Sequence, residues 1–408
     1  MTNPKKHLKK RLSREKRFRF VTFLSLAIPI TFLTFLVGHI FYQAWPAFFH
    51  HYIDFEINAA DLPSSSFKES NPDYRLLTRQ LLEKNLEITA TPQQRRELPR
   101  MLSPHANDDL AITLEKLPSS PTTPYIVSLP TSAIIDQYMT TGDDSKLTAN
   151  QQQWVAVLER QEKINRAFDT SFWQSGDSRE PEEAGIWGSI MGSFLTMIIT
   201  LLLSLPFGTA AALYLEEFAK KNFLSRLIEI NINNLAAVPS IIFGLLGIVV
   251  FLGIFGLPRS SPLVGGMVLA LMTLPVIIIA ARASLRAIPT SIRQAALAVG
   301  ASHAQVIWHH VFPLALPGIL TGTILGMARA LGETAPLMMI GMIAFIVDIP
   351  SGFTDPSTVL PAQIFMWSDL QETAFVEKTY AAILVLIVFL IMMNLLAIII
   401  RQRVEKKW

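Results

Sequence analysis

The stretch Ser284–Pro313, SLRAIPTSIRQAALAVGASHAQVIWHHVFP, is a polar-flanked island between long apolar runs. Pro289 followed by Thr290 or Ser291 predicts a helix start, and Gly300 a helix stop. Ser302 with Gln305 three residues on carries the capping-box signature of a second short helix. Two short Ala- and Val-bearing helices meeting at a glycine form a compact knob between two spans. Ala295, Ala296 and Ala298 leave room for close docking by another protein. A helical hairpin that joins two spans and touches nothing fits the same pattern.

On either side of this knob the chain is too apolar to be a soluble globule. Of its 408 residues half are apolar and only 16% are charged, and the mean hydropathy is +0.37. Soluble domains carry about a quarter charged residues, so polar surface is short. A bilayer core of about 30 Å needs roughly 20 apolar residues in a helix. Six segments qualify, at about 20–44, 187–214, 231–257, 263–281, 314–347 and 379–400. The first runs too long for a cleaved signal core of about 7–15 residues and reads as an uncleaved anchor. The expected fold is an all-α integral membrane protein of six transmembrane helices.

Charge is segregated along the chain. Residues 1–19 hold nine Lys/Arg against one Glu. With the N-terminus in the cytoplasm, the segments 1–19, 216–226, 282–313 and 401–408 hold 19 Lys/Arg. The short outside loops 258–262 and 348–378 hold one each. The positive-inside rule therefore predicts both termini to be cytoplasmic. The basic N-terminus reads as a topology signal that also touches anionic lipid, not as a nucleic-acid site, since no aromatic residues interleave its charges.

Between the first two spans lies an outside insert, 45–185, with 21 acidic against 13 basic residues. Leu76, Leu77, Leu81, Leu82 and Leu86 recur at helical spacing. Thr148–Trp173 reads as a longer helix with Trp154, Val155, Leu158, Ile164 and Phe168 on its apolar side. Pro-rich turns surround one short extended piece, Tyr125–Leu129. The insert is expected to be small, mostly helical and tied to the membrane at both ends. The remaining segments are the apolar core 186–400, with spans two to six, and the C-terminus 401–408.

Several chemistries have no carrier. Zero cysteines exclude disulfides, thiolate metal sites and cysteine nucleophiles. No Gly-rich loop ending in Gly-Lys-Ser/Thr occurs, so the chain does not hold ATP in that way. HExxH and GxSxG are also missing. His303, His309 and His310 share one loop and His50 and His51 adjoin the first span; polar contacts account for them more simply than a metal. No cofactor and no metal are expected in this chain, and it is not expected to be an enzyme.

The fifth apolar segment carries charge. In RALGETAPL, Arg329–Leu337, Arg329 lies twelve residues past Pro317, about 18 Å along a helix and near mid-bilayer. A central Arg costs roughly 2.5–3.5 kcal/mol on insertion scales, and such residues face a bundle interior or an aqueous path. Arg329 and Glu333, four apart, can pair. One reading is a buried structural ion pair. The other is that Arg329 offers a planar fork to a tetrahedral oxyanion while Glu333 accepts a hydrogen bond from an anion that still carries a proton. Hydrogen phosphate has such a proton at neutral pH and sulfate does not. Gly332 and Pro336 flank the pair and free backbone groups for the path.

These stretches resemble a known family. Gln294-Ala295-Ala296, Gly300 and Phe312-Pro313 are similar to the EAA loop of binding-protein-dependent ABC importer permeases, with Gln294 where Glu is usual and Phe312 where Leu is usual. RALGETAPL resembles the signature of phosphate-specific importer permeases of the PstA type. AAVPSIIFGLLG, Ala236–Gly247, is similar to a second segment of those permeases and includes Ser240. Arg282, at the end of span four, matches an Arg of the family proposed to serve anion passage; a positive-inside flank explains it as well. The resemblance covers about 187–400 and the first span, not the insert.

The resemblance implies a type I ABC importer permease fold. It implies pairing with a homologous permease as a heterodimer, two ATPase subunits that bind Mg-ATP under the coupling loops, and a periplasmic phosphate-binding protein, in a bacterial inner membrane. It places Arg329, Glu333, Thr334, Ser240 and Arg282 on the substrate path, and Gln294, Ala295, Ala296, Gly300 and Pro313 in coupling to the ATPase. A permease of the same architecture for sulfate or molybdate is the alternative. A membrane sensor or scaffold fits less well, because the longest inside segment has only about 30 residues.

Overall fold

A computed structural model of the chain describes residues 4–57, 74–115, 125–220, 222–343 and 345–405. The first helix, α1 (Pro4–Ala44), continues from the basic N-terminus straight into the first apolar segment. No residue of its most apolar window is buried, as expected of a helix whose solvent is lipid.

The insert is built around a three-stranded antiparallel sheet of order β2-β1-β3. Strand β1 (Phe49–Ile57) is central; α2 (Tyr74–Asn85), α3 (Gln94–Glu97) and α4 (Ala106–Glu115) follow it. Next come β2 (Tyr125–Pro130), α5 (Ala133–Thr141), α6 (Ala149–Arg160), β3 (Ile164–Phe168) and α7 (Thr170–Gln174). Ile53 pairs with Leu129 on one side and Ile164 on the other. Ile53, Phe55, Val127 and Leu129 turn the same sheet face onto Leu81, Leu82, Leu110, Trp154 and Leu158.

One expectation for the insert needs correction. The helix expected over Thr148–Trp173 stops at Arg160, because Glu162 takes a left-handed φ of 54° and the chain then pairs with β1. Ile164 and Phe168 fit a helix face, but they fit an alternating strand too, and only the partner strand decides. The sheet itself was visible in the sequence only as Tyr125–Leu129. The capping box at Thr148 and Gln151 fixes the start of α6.

The membrane core follows in α8 (Trp187–Leu213), which ends in a π-helical turn at Tyr214–Phe218. Helices α9 (Phe223–Ala236) and α10 (Ser240–Leu246, continued as π-helix to Ile254) come next. Then come α11 (Pro262–Ala287), α12 (Thr290–Ala298) and α13 (His303–Val306). The last four are α14 (Phe312–Leu331), α15 (Ala335–Met339), α16 (Leu360–Ser368) and α17 (Thr373–Val404). Among the described residues five helices are long and apolar enough to cross a membrane, and six if the pair α9 and α10 counts as one span.

Two of the expected spans are not straight rods. The segment 231–257 is split into α9 and α10, bent by 105°. Pro239 lacks a donor and disfavours a helical residue before it, so the break falls at Ala237–Pro239. The segment 314–347 ends as a helix at Leu331, with Gly332 as its cap. Pro336 cannot accept a continuous helix through residue 332, and the chain restarts as α15.

Close contacts set the packing of the core. Helix α14 lies against α11 with Gly318 on Ser284, Gly322 on Ala280 and Gly326 on Ile277 and Thr273. A Cβ on Gly244 of α10 would meet Pro336 Cα at 2.8 Å, so α10 and α15 touch through that glycine. The insert joins the core through Lys378 of α17. Its Nζ donates to the Ala184 carbonyl at 2.8 Å and lies 3.6 Å from the Asp169 carboxylate.

Candidate functional site

Arg329 sits in the last turn of α14. Its guanidinium Nε is 3.5 Å from a Glu333 carboxylate oxygen, and the side chains are 52% and 19% exposed. The pair bridges the break between α14 and α15, so Glu333 belongs to the unwound link and not to the helix of Arg329. That corrects the expectation of one continuous helix face. The break leaves the Arg fork half-open, while the acid is the more enclosed partner. Thr334 is the residue that leads into α15.

Ser240 opens α10 directly after the bend. Gly244 faces Pro336 and Met339, and Gly247 faces Ile340, so α10 and α15 run side by side in one direction. Arg329, Glu333 and Thr334 lie at the break between α14 and α15, and Ser240 opens the helix that packs on α15 through Gly244.

Arg282 does not join this group. The α11–α14 packing places it level with about residue 320, roughly nine residues or about 14 Å below Arg329 along the helix. Its guanidinium is enclosed by two carboxylates, Glu229, which accepts from Nη2, and Glu216 at 3.4 Å from Nε. The structure shows Arg282 in ion pairs with Glu216 and Glu229, which lie far from it in sequence and which no local motif announces.

The coupling loop has the shape expected. Pro289 precedes α12, Gly300 takes a φ of 88°, and Ser302 with Gln305 closes a capping box before α13. Gln294, Ala295 and Gly300 face outward, with Leu297 47% and Val299 84% exposed beside them. Ala296 is different. It is buried against Leu285, Val306 and Val311, so it holds the knob together and does not reach the outer face. Pro313 lies in the first turn of α14, half-buried.

Arg293, not singled out from the sequence, pins the knob. It donates to the Ile288 carbonyl at 2.7 Å and the Leu285 carbonyl at 3.0 Å, both at the end of α11. Its other partner is Glu217 of the π turn, at 2.7 Å. His50, His51 and His309 make polar contacts. His51 Nδ1 lies 2.7 Å from Asp136, His50 Nε2 3.0 Å from the Thr131 carbonyl, and His309 Nδ1 3.2 Å from the Gln305 carbonyl. Burial would push the Asp136 carboxyl up, but hydrogen bonds from His50 and His51 outweigh it and hold the group far below the usual carboxylate range. Among the described residues no group of three potential ligands could hold a metal ion.

Known proteins and family models are similar to the chain over both of its parts. Residues 5–149 match a domain of unknown function (DUF3333). The phosphate transport system permease protein PstA of Mycobacterium leprae (strain TN) is 32% identical over 218 residues, 53% of this chain and 70% of the relative. The phosphate transport system permease protein PstC of Pasteurella multocida (strain Pm70) is 30% identical over 267 residues, 59% of this chain and 82% of the relative. Among solved structures, an inward-facing MetNI methionine ABC transporter aligns with 54% of this chain and 95% of its own at 18% identity, with a TM-score of 0.41. Residues 204–408 match the binding-protein-dependent transport system inner membrane component. On that match over half of the chain, the protein belongs to this family, as a non-catalytic, multi-pass permease subunit of an ABC transporter.

Proposed function

We propose that the chain is the PstA-type permease subunit of an inorganic phosphate importer. The observation that carries the reading is the Arg329–Glu333 pair at the break between α14 and α15, in a chain whose relatives are phosphate permeases. A half-open guanidinium supplies two parallel donors to a tetrahedral oxyanion. The more enclosed Glu333 carboxylate accepts a hydrogen bond from the protonated oxygen of hydrogen phosphate and repels a fully ionised sulfate or molybdate. Ser240 and Thr334 add hydroxyl groups to the path.

In this reading the subunit pairs with a homologous permease and receives phosphate from a periplasmic binding protein. Two ATPase subunits, which bind Mg-ATP, dock under the outward face of α12, at Gln294, Ala295 and Gly300. The exposed Leu297 and Val299 give that face an apolar centre suited to a protein partner. Both termini are cytoplasmic, the basic N-terminus rests on anionic lipid and the insert is periplasmic.

The test is labelled-phosphate uptake at low external phosphate in cells lacking the gene and complemented with it, with excess sulfate or molybdate as competitors. Uptake restored by the gene and untouched by the competitors supports the reading. Equal uptake with and without the gene removes phosphate as the substrate. Competition by sulfate returns the site to other oxyanions.

A further inference from the structure

We infer that Glu229 is a positioning residue that ties the amphipathic helix α9 to the coupling loop and so carries the loop's movement to the broken spans. The inference takes from the proposed import reading only the ATPase that moves the loop.

Helix α9 lies along α11 with most of its apolar surface uncovered. None of its side chains is buried, and Phe223, Leu224, Leu227, Ile228, Ile230 and Leu235 are exposed; Ile232 alone grazes the apolar cluster beneath the coupling loop. Its Glu229 carboxylate accepts from Arg282 and lies 3.3 Å from Arg286 Nη2. Both arginines stand near the end of α11, directly before α12. The same two guanidiniums hold Glu216 of the π turn, with Arg286 Nε 2.9 Å away. Glu217 next to it takes Arg293 of α12. Three Arg and three Glu thus join α8, α9, α11 and α12 in one charge-balanced cluster.

What α9 leads to gives the cluster its consequence. The chain passes from α9 through the 105° bend into α10, and α10 rests through Gly244 on Pro336, three residues after Glu333. A displacement of α12 is passed by Arg282 and Arg286 to Glu229, by α9 to the bend, and by α10 to the segment that carries Glu333. Arg282 is 13% exposed, and a partly enclosed pair is screened less than a surface one. Coupling between distant sites travels through such packed and charge-paired elements.

The absence of cysteine makes the test direct. Spin labels on Phe223→Cys in α9 and Val299→Cys in the coupling loop, both exposed, report whether the two elements move as one body. In the assembled complex with its permease and ATPase partners, the native background is expected to give one narrow distance, equal without nucleotide and with ATP. Glu229→Gln is expected to broaden that distribution, and to lower phosphate taken up per ATP about fivefold or more. The double reversal Glu229→Arg with Arg282→Glu restores the narrow peak. A Glu229→Gln distribution superimposable on the native one overturns the link, as does a reversal that leaves the peak broad. If the unmodified complex carries no phosphate, the import reading fails while the label distances still decide the link.

Discussion

Replacing Arg329 by Gln separates a transport role from a structural one. Among the described residues the recorded partner of Arg329 is Glu333, at 3.5 Å and beyond good hydrogen-bond distance, with the Arg half-exposed. A pair of that kind contributes about 1 kcal/mol or less to stability. Two charge-assisted hydrogen bonds to an anion are worth about 1.5–3 kcal/mol each. At 1.4 kcal/mol per tenfold, their loss lowers uptake about 100-fold or more. The expected result is Arg329→Gln present in the membrane at near-native level with uptake close to background. Arg329→Lys keeps the charge but loses the fork, and falls between the two. Labelled-phosphate uptake is read beside an immunoblot of the membrane fraction. Normal uptake at normal level refutes the path role. Loss of the protein in step with uptake shows instead that the pair is structural.

Three further outcomes follow from the geometry. Lys378→Met strands the buried Asp169 carboxylate and is expected to cost about 3–5 kcal/mol. Adding Asp169→Asn recovers most of that in thermal melts of the detergent-solubilised protein, and no recovery would show that the two do not act as a pair. Burial pushes the Asp177 carboxyl up to about 6, against the hydrogen bond donated by Trp367 at 3.0 Å. Its proton is thus held more tightly in the folded state than in the unfolded chain, where the pKa is about 3.9. Stability is lost as pH rises from about 4 to about 6, by roughly 1–3 kcal/mol. Asp177→Asn should therefore raise the melting temperature at pH 7.5 more than at pH 4.5, and an equal effect at both would remove the carboxylate as the cause. Gly300→Pro cannot adopt the φ of 88° and is expected to uncouple ATP hydrolysis from transport; full coupling in reconstituted complexes would count against the loop role.

How much of this is legible in the sequence depends on the range of the interaction. The capping box at Ser302, the stop at Gly300 and the start after Pro289 rest on neighbours within a few residues, and each lies where it was expected. The pairing of Arg329 with Glu333 was also legible, because four residues separate them. The breaks at Pro239 and Pro336 carry local signals as well, yet hydropathy averaged over a span's length reads straight through them. The strand at Ile164–Phe168 was missed because its pattern satisfies two periodicities and β1, more than a hundred residues earlier, makes the choice.

The sequence by itself determined the membrane class, the apolar segments, the knob between α11 and α14 and the charged pair in RALGETAPL. Those follow from hydrophobic run length, turn chemistry and short spacings, which are properties of the chain alone. Packing alone sets Arg282 between Glu216 and Glu229 and turns Ala296 inward. In each case the deciding partner lies on another helix, and burial or charge pairing between distant residues exists only once the helices have packed.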